Sequence, residues 1–290
     1  MGLALRQASK DIRLVGHDRE PAAATAARKT GAVDRTEWNL PASVEKANIV
    51  VLALPLSQIR DTLAVIGPEL PEGCLVTDTA AVKVPVLAWA QELLPPRVHF
   101  VGGDPVGARN KGAQPAADRF AQTTYCLCPD ATTPPEAVER ASDLAAALGA
   151  TPHYLDAAEH DGLLAALEQL PFILSMAVLQ LASTSGAWRD LVRLGGGHLE
   201  QFMAVVGDHP EAEFENARAN AAKLSRWLAS IGETLDSLRT LLSNDEPAAR
   251  EQAVRHLAEA RAAWERHDAE APRPSPDYRS VGMRRMLFGF

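Results

Sequence analysis

The sequence is short of cysteine, aromatic residues and positive charge. Its three cysteines, Cys74, Cys126 and Cys128, are odd in number and form no CxxC pair, so we expect buried thiols in a reducing compartment rather than disulfides or a metal site. A formal net charge of −8 argues against nucleic acid as a partner, because phosphate binding requires a basic surface. We expect no apolar stretch as long as the roughly 18 residues of a membrane span. The N-terminus lacks the pattern of a signal peptide. These absences predict a soluble, cytoplasmic protein.

The length of 290 residues suits two domains, and the patterning changes once, near position 156. Before that position, β-rich runs alternate with helical patterns, which is typical of a doubly wound parallel sheet. The expected strands are 11–15, 49–54, 74–77, 99–101, 124–127 and 152–155, and the expected helices are 21–30, 58–66, 84–93 and 134–148. We therefore predict a Rossmann-like α/β domain over residues 1–155.

Residues 156–270 carry almost no strand signal and are predicted to form a helical domain. The segment 159–183 is apolar enough for one long helix. Further on, apolar residues recur at spacings of four and three, in the manner of a heptad seam: Leu224, Leu228, Ile231, Leu235, Leu238 and Leu242. Such a seam suits a helical hairpin or a subunit interface, and an intramolecular core stripe would look the same. The tail 271–290 is expected to be extended.

The α/β half has an incomplete dinucleotide-binding pattern. In such a domain the first strand leads into a G-x-G-x-x-G turn, and the second ends in an acidic residue that binds the ribose. Asp18, at the end of DIRLVGHD, suits the ribose role, although a turn-capping aspartate would look the same. No glycine fingerprint lies upstream, so we expect a fold whose first strand and glycine-rich loop are missing. Pro55 and Ser57 follow the 49–54 strand, where doubly wound sheets bind ligands.

Six segments, taken in order, resemble the prephenate/arogenate dehydrogenase family. VLALPLSQI (51–59) is similar to the family's fourth-strand segment, TDTAAVK (77–83) to its T-D-x-x-S-V-K turn, and FVGGDPVGA (100–108) to its G-G-H-P-x-A-G loop. TTYCLCPDATT (123–133) is similar to its x-L-T-P strand, EHDGLLAALEQLPF (159–172) to H-D-x-x-x-A-x-x-S-H-L-P-H, and WRDLVRL (188–194) to F-R-D-x-T-R-I. The resemblance extends to about residue 245.

This resemblance implies an oxidative decarboxylation of prephenate or arogenate in a cleft between a Rossmann-type domain and a helical domain that forms a homodimer. The hydride acceptor would be NAD, because a carboxylate at Asp18 repels the 2′-phosphate of NADP. The neighbouring Arg19 softens that preference, so NADP stays open. No nucleic acid, membrane or metal is implied.

The resemblance also assigns candidate site residues. Arg189 and Arg193 stand where the family's arginines bind substrate carboxylates, and four-residue spacing puts both on one side of a helix; surface arginines paired with Asp190 are the alternative. His160 matches the histidine of the H-D pair, with a catalytic role or a capping or packing role. Lys83 matches the family lysine near the cofactor, unless it is a solvated surface lysine.

Several family positions are changed together. The catalytic histidine of G-G-H-P is Asp104, the serine that supports it is Ala81, and the two histidines of S-H-L-P-H are Gln169 and Phe172. Gln169 stays a candidate for substrate binding, and Asp104 for the catalytic base, although a carboxylate starts as a base weaker than histidine by about 2.6 pKa units. We therefore expect weakened or altered activity. A non-catalytic relative that keeps the dimer scaffold and ligand cleft, or a dehydrogenase for a different small acid, are the alternatives.

Overall fold

The computed structural model describes residues 1–107, 115–244 and 246–270, so the tail predicted over 271–290 lies outside the described residues. The chain is an α/β domain followed by an all-helical part, as the sequence predicts. The last strand ends at Tyr154 and the next helix begins at Ala157.

The strands form two separate sheets. The strands are β1 (Val15–Gly16), β2 (Arg35–Thr36), β3 (Ile49–Leu52), β4 (Leu75–Asp78), β5 (His99–Val106), β6 (Thr124–Pro129) and β7 (Thr151–Tyr154). Strands β1 and β2 pair in parallel, and the other five follow the order β3-β4-β5-β6-β7. All neighbours in the larger sheet are parallel except β5 and β6, which are antiparallel. The prediction of a uniformly parallel sheet is therefore wrong for β5 and β6. The described part of the segment that connects these two strands has no helix, and an antiparallel pair does not require one.

The gap between the two sheets bears on the nucleotide fold. Strands β1 and β3 are each at an edge, and no described strand lies between them. The predicted strand 11–15 is shorter in the structure, because the amide of Leu14 donates to a side-chain oxygen of Asp34 (2.7 Å) before pairing with β2 begins. The described strands therefore do not form one continuous sheet.

Helices cover both faces of the five-stranded sheet. The helices of this half are α1 (Gly2–Ala8), α2 (Pro21–Lys29), α3 (Leu40–Val44), α4 (Leu56–Ile66), α5 (Val84–Leu93) and α6 (Pro135–Ala147). On one face, residues of α1 and α6 pack with Leu75, Val101 and Leu127 of the sheet. On the other, α4 and α5 pack against Val76. Two buried faces explain why the strands are continuous apolar runs rather than alternating ones.

The helical part begins with a widened turn. Instead of one regular helix over 159–183, the chain forms α7 (Ala157–Leu164), a π-helical turn (Ala165–Gln169) and α8 (Leu170–Thr184). These 28 residues are long and apolar enough to cross a membrane by length and composition, so the expectation that no such segment exists is wrong. A core or interface helix passes the same test, and α7 carries buried polar side chains that bind other elements.

The remaining helices form a layer with much exposed apolar surface. They are α9 (Trp188–Val206), α10 (Pro210–Ala219), α11 (Ala221–Leu242) and α12 (Pro247–Glu270). The predicted heptad seam lies on α11, where Leu224 is buried but Leu235, Leu238 and Leu242 are exposed. This seam is therefore not a continuous core stripe within the chain.

Candidate active site

A cluster of buried polar residues lies where β4 and β5 meet the helical part. Asp78 ends β4, and Asp104 lies near the carboxyl end of β5; both are fully buried. Gly103 lets these strands approach, because a Cβ there would lie only 2.7 Å from the carbonyl oxygen of Asp78 and 2.8 Å from Oγ1 of Thr77. Ligands of doubly wound sheets bind beyond the carboxyl ends of the strands, so this cluster is the candidate active site.

Asp78 and Lys83 form a buried ion pair that supports the cluster. The ammonium group of Lys83 donates to a carboxylate oxygen of Asp78 and to the carbonyl oxygen of Gly103, the latter at 2.6 Å. Asp78 also accepts from the amides of Ala80 (2.9 Å) and Gly103 (3.0 Å). The interpretation of Lys83 as a solvated surface lysine is therefore wrong, because its side chain is completely buried.

His160 lies between two carboxylates. Its Nε2 is 3.3 Å from Oδ2 of Asp104, and its Nδ1 is 3.0 Å from Oδ1 of Asp161. Asp161 in turn accepts from the backbone amides of Lys83 (2.6 Å) and Val84 (2.9 Å), and so caps α5. The H-D pair thus joins the helical part to two elements of the α/β domain: His160 reaches β5, and Asp161 caps a helix other than its own.

The surroundings of His160 favour its protonated form. Burial lowers the pKa of His160, but hydrogen bonds to Asp104 and Asp161 and the charge of Asp104 outweigh burial and the opposing charge of Lys83. The net effect raises its pKa above the ordinary 6.5. The imidazolium form of His160 is stabilised by the carboxylate of Asp104, 3.3 Å away, and loss of the imidazole proton leaves a group able to accept one.

Gln169 is also buried, at the end of the π-helical turn, and is linked to the cluster by Asn220. Sequence reasoning missed Asn220, because a lone asparagine in a helical pattern gives no signal. It also missed Asp78, although the T-D pair at the end of a strand was visible in TDTAAVK. Neither Ala81 nor Phe172 supplies a polar group, and both are buried.

The two candidate substrate arginines lie elsewhere in the single chain. Arg189 and Arg193 are exposed on α9, which packs mainly against α8. Within the described residues neither forms an ion pair with Asp190, and neither contacts Asp104 or His160. The structure therefore does not bring the arginines together with the buried cluster within one chain.

The candidate cofactor residues lie at the ends of the two strands that border the gap. Asp18 and Arg19 are exposed after β1, and Asp18 accepts from the amide of Glu20 (2.8 Å), so the turn-capping contact is present. Pro55 and Ser57 are exposed at the start of α4, directly after β3. No described turn at this edge supplies a glycine-rich pyrophosphate cradle. Among the described residues no group of three His, Cys, Asp or Glu side chains could hold a metal ion.

Two models of one protein family match the α/β domain and the helical part of the chain. The family model of the prephenate dehydrogenase nucleotide-binding domain matches residues 1–153, and that of the prephenate dehydrogenase dimerization domain matches residues 156–259. The prephenate dehydrogenase of Bacillus subtilis (strain 168) is 26% identical over 258 residues, which cover 85% of this chain and 67% of that protein.

Solved structures have the same fold. Prephenate dehydrogenase from Aquifex aeolicus, in complex with hydroxyphenyl propionate and NAD+, superposes with a TM-score of 0.82 at 20% identity, covering 91% of this chain and 92% of that one. Synechocystis arogenate dehydrogenase superposes with a TM-score of 0.71 at 25% identity, covering 91% and 95%.

Proposed function

The chain belongs to the prephenate dehydrogenase family, and we propose that it oxidises and decarboxylates prephenate or arogenate with NAD as the hydride acceptor. The observation that carries this proposal is the contact of 3.3 Å between Nε2 of His160 and Oδ2 of Asp104. The pair supplies a buried proton acceptor at the position where the family resemblance places its catalytic histidine. The changed residue therefore keeps a base at that site.

The proposed role of the pair follows from charge balance. The substrate loses a hydride from the carbon that bears its hydroxyl group, and loss of the ring carboxylate as CO2 makes the ring aromatic. The hydroxyl proton leaves as the hydride departs and a carbonyl forms, and Asp104, with His160 beside it, receives that proton. When CO2 leaves, the electron pair of the broken C–C bond makes the ring aromatic, and the resulting phenolate oxygen takes a proton back. Asp161 holds the imidazole by its Nδ1 atom, so that Nε2 faces Asp104.

Other residues bind and orient the two reactants. Asp18, with Arg19 beside it, would bind the adenosine ribose of NAD, and Pro55 and Ser57, at the end of β3, would contact the bound cofactor. NAD, when bound, supplies the hydride acceptor. Arg189 and Arg193 bind the carboxylates of the substrate through bidentate contacts. Because neither reaches the buried cluster within one chain, the proposal requires the homodimer to bring them to it.

The test of this function is direct. Purified protein is mixed with NAD and with either prephenate or arogenate, and NADH is followed by its absorbance. We expect turnover of at least one substrate. Ligand-induced thermal stabilisation without any NADH would instead favour a non-catalytic relative, and turnover confined to another small acid would favour a different dehydrogenase.

The pH profile of kcat/KM is expected to rise through a pKa above 6.5, because the acceptor form of the His160–Asp104 pair has lost the imidazole proton. By linkage, the same proton stabilises the folded chain at low pH, and that contribution disappears as the pH rises through the raised pKa. His160→Gln should move the rising limb of the profile to lower pH, toward the range of a carboxyl group. A limb that does not move would show that another group titrates.

The protein works as a homodimer in the cytoplasm, assembled through its helical part. Large apolar side chains there are exposed in the single chain, among them Leu181 (74%), Leu194 (82%) and Leu242 (86%), and exposed patches of this kind mark interfaces. Three buried free thiols suit a reducing compartment. We expect sedimentation to give twice the mass of the 31.1 kDa chain. Leu194→Glu should shift that mass toward the monomer, and a monomeric wild-type protein would contradict the proposal.

A further inference from the structure

The side-chain amide of Gln169 has a hydrogen-bond partner for its oxygen but none for its nitrogen among the described residues. The residue is 3% exposed and ends the π-helical turn, a local widening of the helix that is frequent at functional sites. Its Oε1 accepts a hydrogen bond of 2.9 Å from Nδ2 of Asn220. Its Nε2 has no partner among the described residues.

The neighbouring contacts fix which atom is which. Nδ2 of Asn220 also donates to the backbone carbonyl oxygen of Asp161, at 2.6 Å. A carbonyl oxygen can only accept, so the atom of Asn220 at this position must be the nitrogen. The atom of Gln169 that faces the same nitrogen must then be the oxygen. The unsatisfied end of Gln169 is therefore an NH2 group, which offers two donors and accepts nothing.

Gln169 is connected to the candidate active site through Asn220. Asn220 bridges Gln169 to Asp161, and Asp161 contacts His160. A buried donor without a partner is costly in the free protein, and an acceptor oxygen on a bound ligand would satisfy it.

We infer that Gln169 is a specificity-determining residue whose NH2 group donates a hydrogen bond to the keto oxygen in the side chain of the substrate. This inference rests on the proposed function. Prephenate and arogenate differ only in that side chain, which carries a keto group in the first and an ammonium group in the second. A fixed donor binds the keto oxygen and is opposed by the ammonium hydrogens, so the protein prefers prephenate to arogenate.

The experiment compares kcat/KM for prephenate and arogenate in the wild type and in Gln169→Glu, which keeps the shape but removes the donor. The wild type should favour prephenate by about 10-fold or more, and Gln169→Glu should lose or reverse that preference. Gln169→Met, an apolar side chain of similar length, should abolish the preference without reversing it, and it serves if the glutamate variant does not fold. Gln252→Glu, an exposed change of the same kind on α12, should leave the ratio unchanged.

Asn220→Ala gives an independent readout of the positioning step. Without Asn220, the Gln169 amide can rotate and present its oxygen, so the preference should fall while turnover of arogenate rises relative to prephenate. Equal preference in the wild type, or a preference unaltered in folded Gln169→Glu and Gln169→Met, would overturn the inference.

A binding measurement separates this inference from the proposed function. Titration calorimetry with 4-hydroxyphenylpyruvate and with tyrosine, the keto and ammonium products of the two reactions, requires no turnover. Tighter binding of the keto acid that is lost in Gln169→Met supports the inference even if the wild type oxidises neither substrate. Turnover of prephenate together with equal binding of the two products would support the proposed dehydrogenase function and contradict the proposed role of Gln169 in specificity.

Discussion

Replacing Asp104 with asparagine is expected to lower kcat/KM by about 10²- to 10⁴-fold, the range that general base catalysis contributes. The amide has nearly the same shape, but it cannot accept the hydroxyl proton. It also removes one of the two carboxylates that raise the pKa of His160, so the imidazole loses its proton at lower pH. The measurement is the initial rate of NADH formation under saturating NAD.

The matched control is Asp236→Asn, a change of the same kind at an exposed position on α11. It should leave the rate within about twofold of the wild type, because surface substitutions away from special features have small effects. If Asp104→Asn kept the full rate while remaining folded, Asp104 would not be the proton acceptor. His160 acting alone would then be the remaining candidate in the cluster.

Replacing Lys83 with methionine is expected to destabilise the protein by about 3–5 kcal/mol, the usual cost of breaking a buried ion pair by removing one partner. Methionine fills a similar volume, so the loss comes mainly from Asp78, which would keep its charge in a buried site without its ammonium partner. The carbonyl oxygen of Gly103 would also lose its donor. Urea unfolding, followed by circular dichroism, measures the change in the free energy of unfolding.

Lys46→Met, at an exposed lysine between α3 and β3, is the control and should change stability by less than about 0.5 kcal/mol. Combining Lys83→Met with Asp78→Asn should recover part of the loss, because the amide carries no charge to bury. A destabilisation below about 1 kcal/mol in the single variant would mean that water or another group compensates Asp78.

The sequence predicts well those features that depend on neighbouring residues. Helix α5 has the predicted bounds, because Pro85 at its start and an apolar pattern are local signals. The antiparallel pairing of β5 with β6 was not predicted, since it depends on the path of the connection rather than on either strand. The π-helical turn was missed for a similar reason: its residues are ordinary helix formers, and the contact of Gln169 with Asn220 joins residues far apart in the sequence.

In the candidate site, too, the sequence indicates individual residues but not the long-range contacts between them. Asp104 and His160 could be nominated from motifs, yet their contact joins a strand to a helix 56 positions later in the chain (104 to 160). The periodicity of apolar residues in a sequence cannot predict a contact between residues so far apart. The burial of Lys83 was likewise invisible, because its partner Asp78 and its cap acceptor Asp161 come together only when the helical part packs on the sheet.

The His160–Asp161 pair spans the junction between the sheet and the helical part, and this position links proton affinity to domain geometry. Any movement that draws α7 away from β5 lengthens the contact with Asp104 and lowers the affinity of His160 for its proton. Linkage is reciprocal, so a ligand that draws the two parts together must also increase proton uptake at this site. The proton affinity of His160 and the affinity for a ligand that tightens this junction therefore change together.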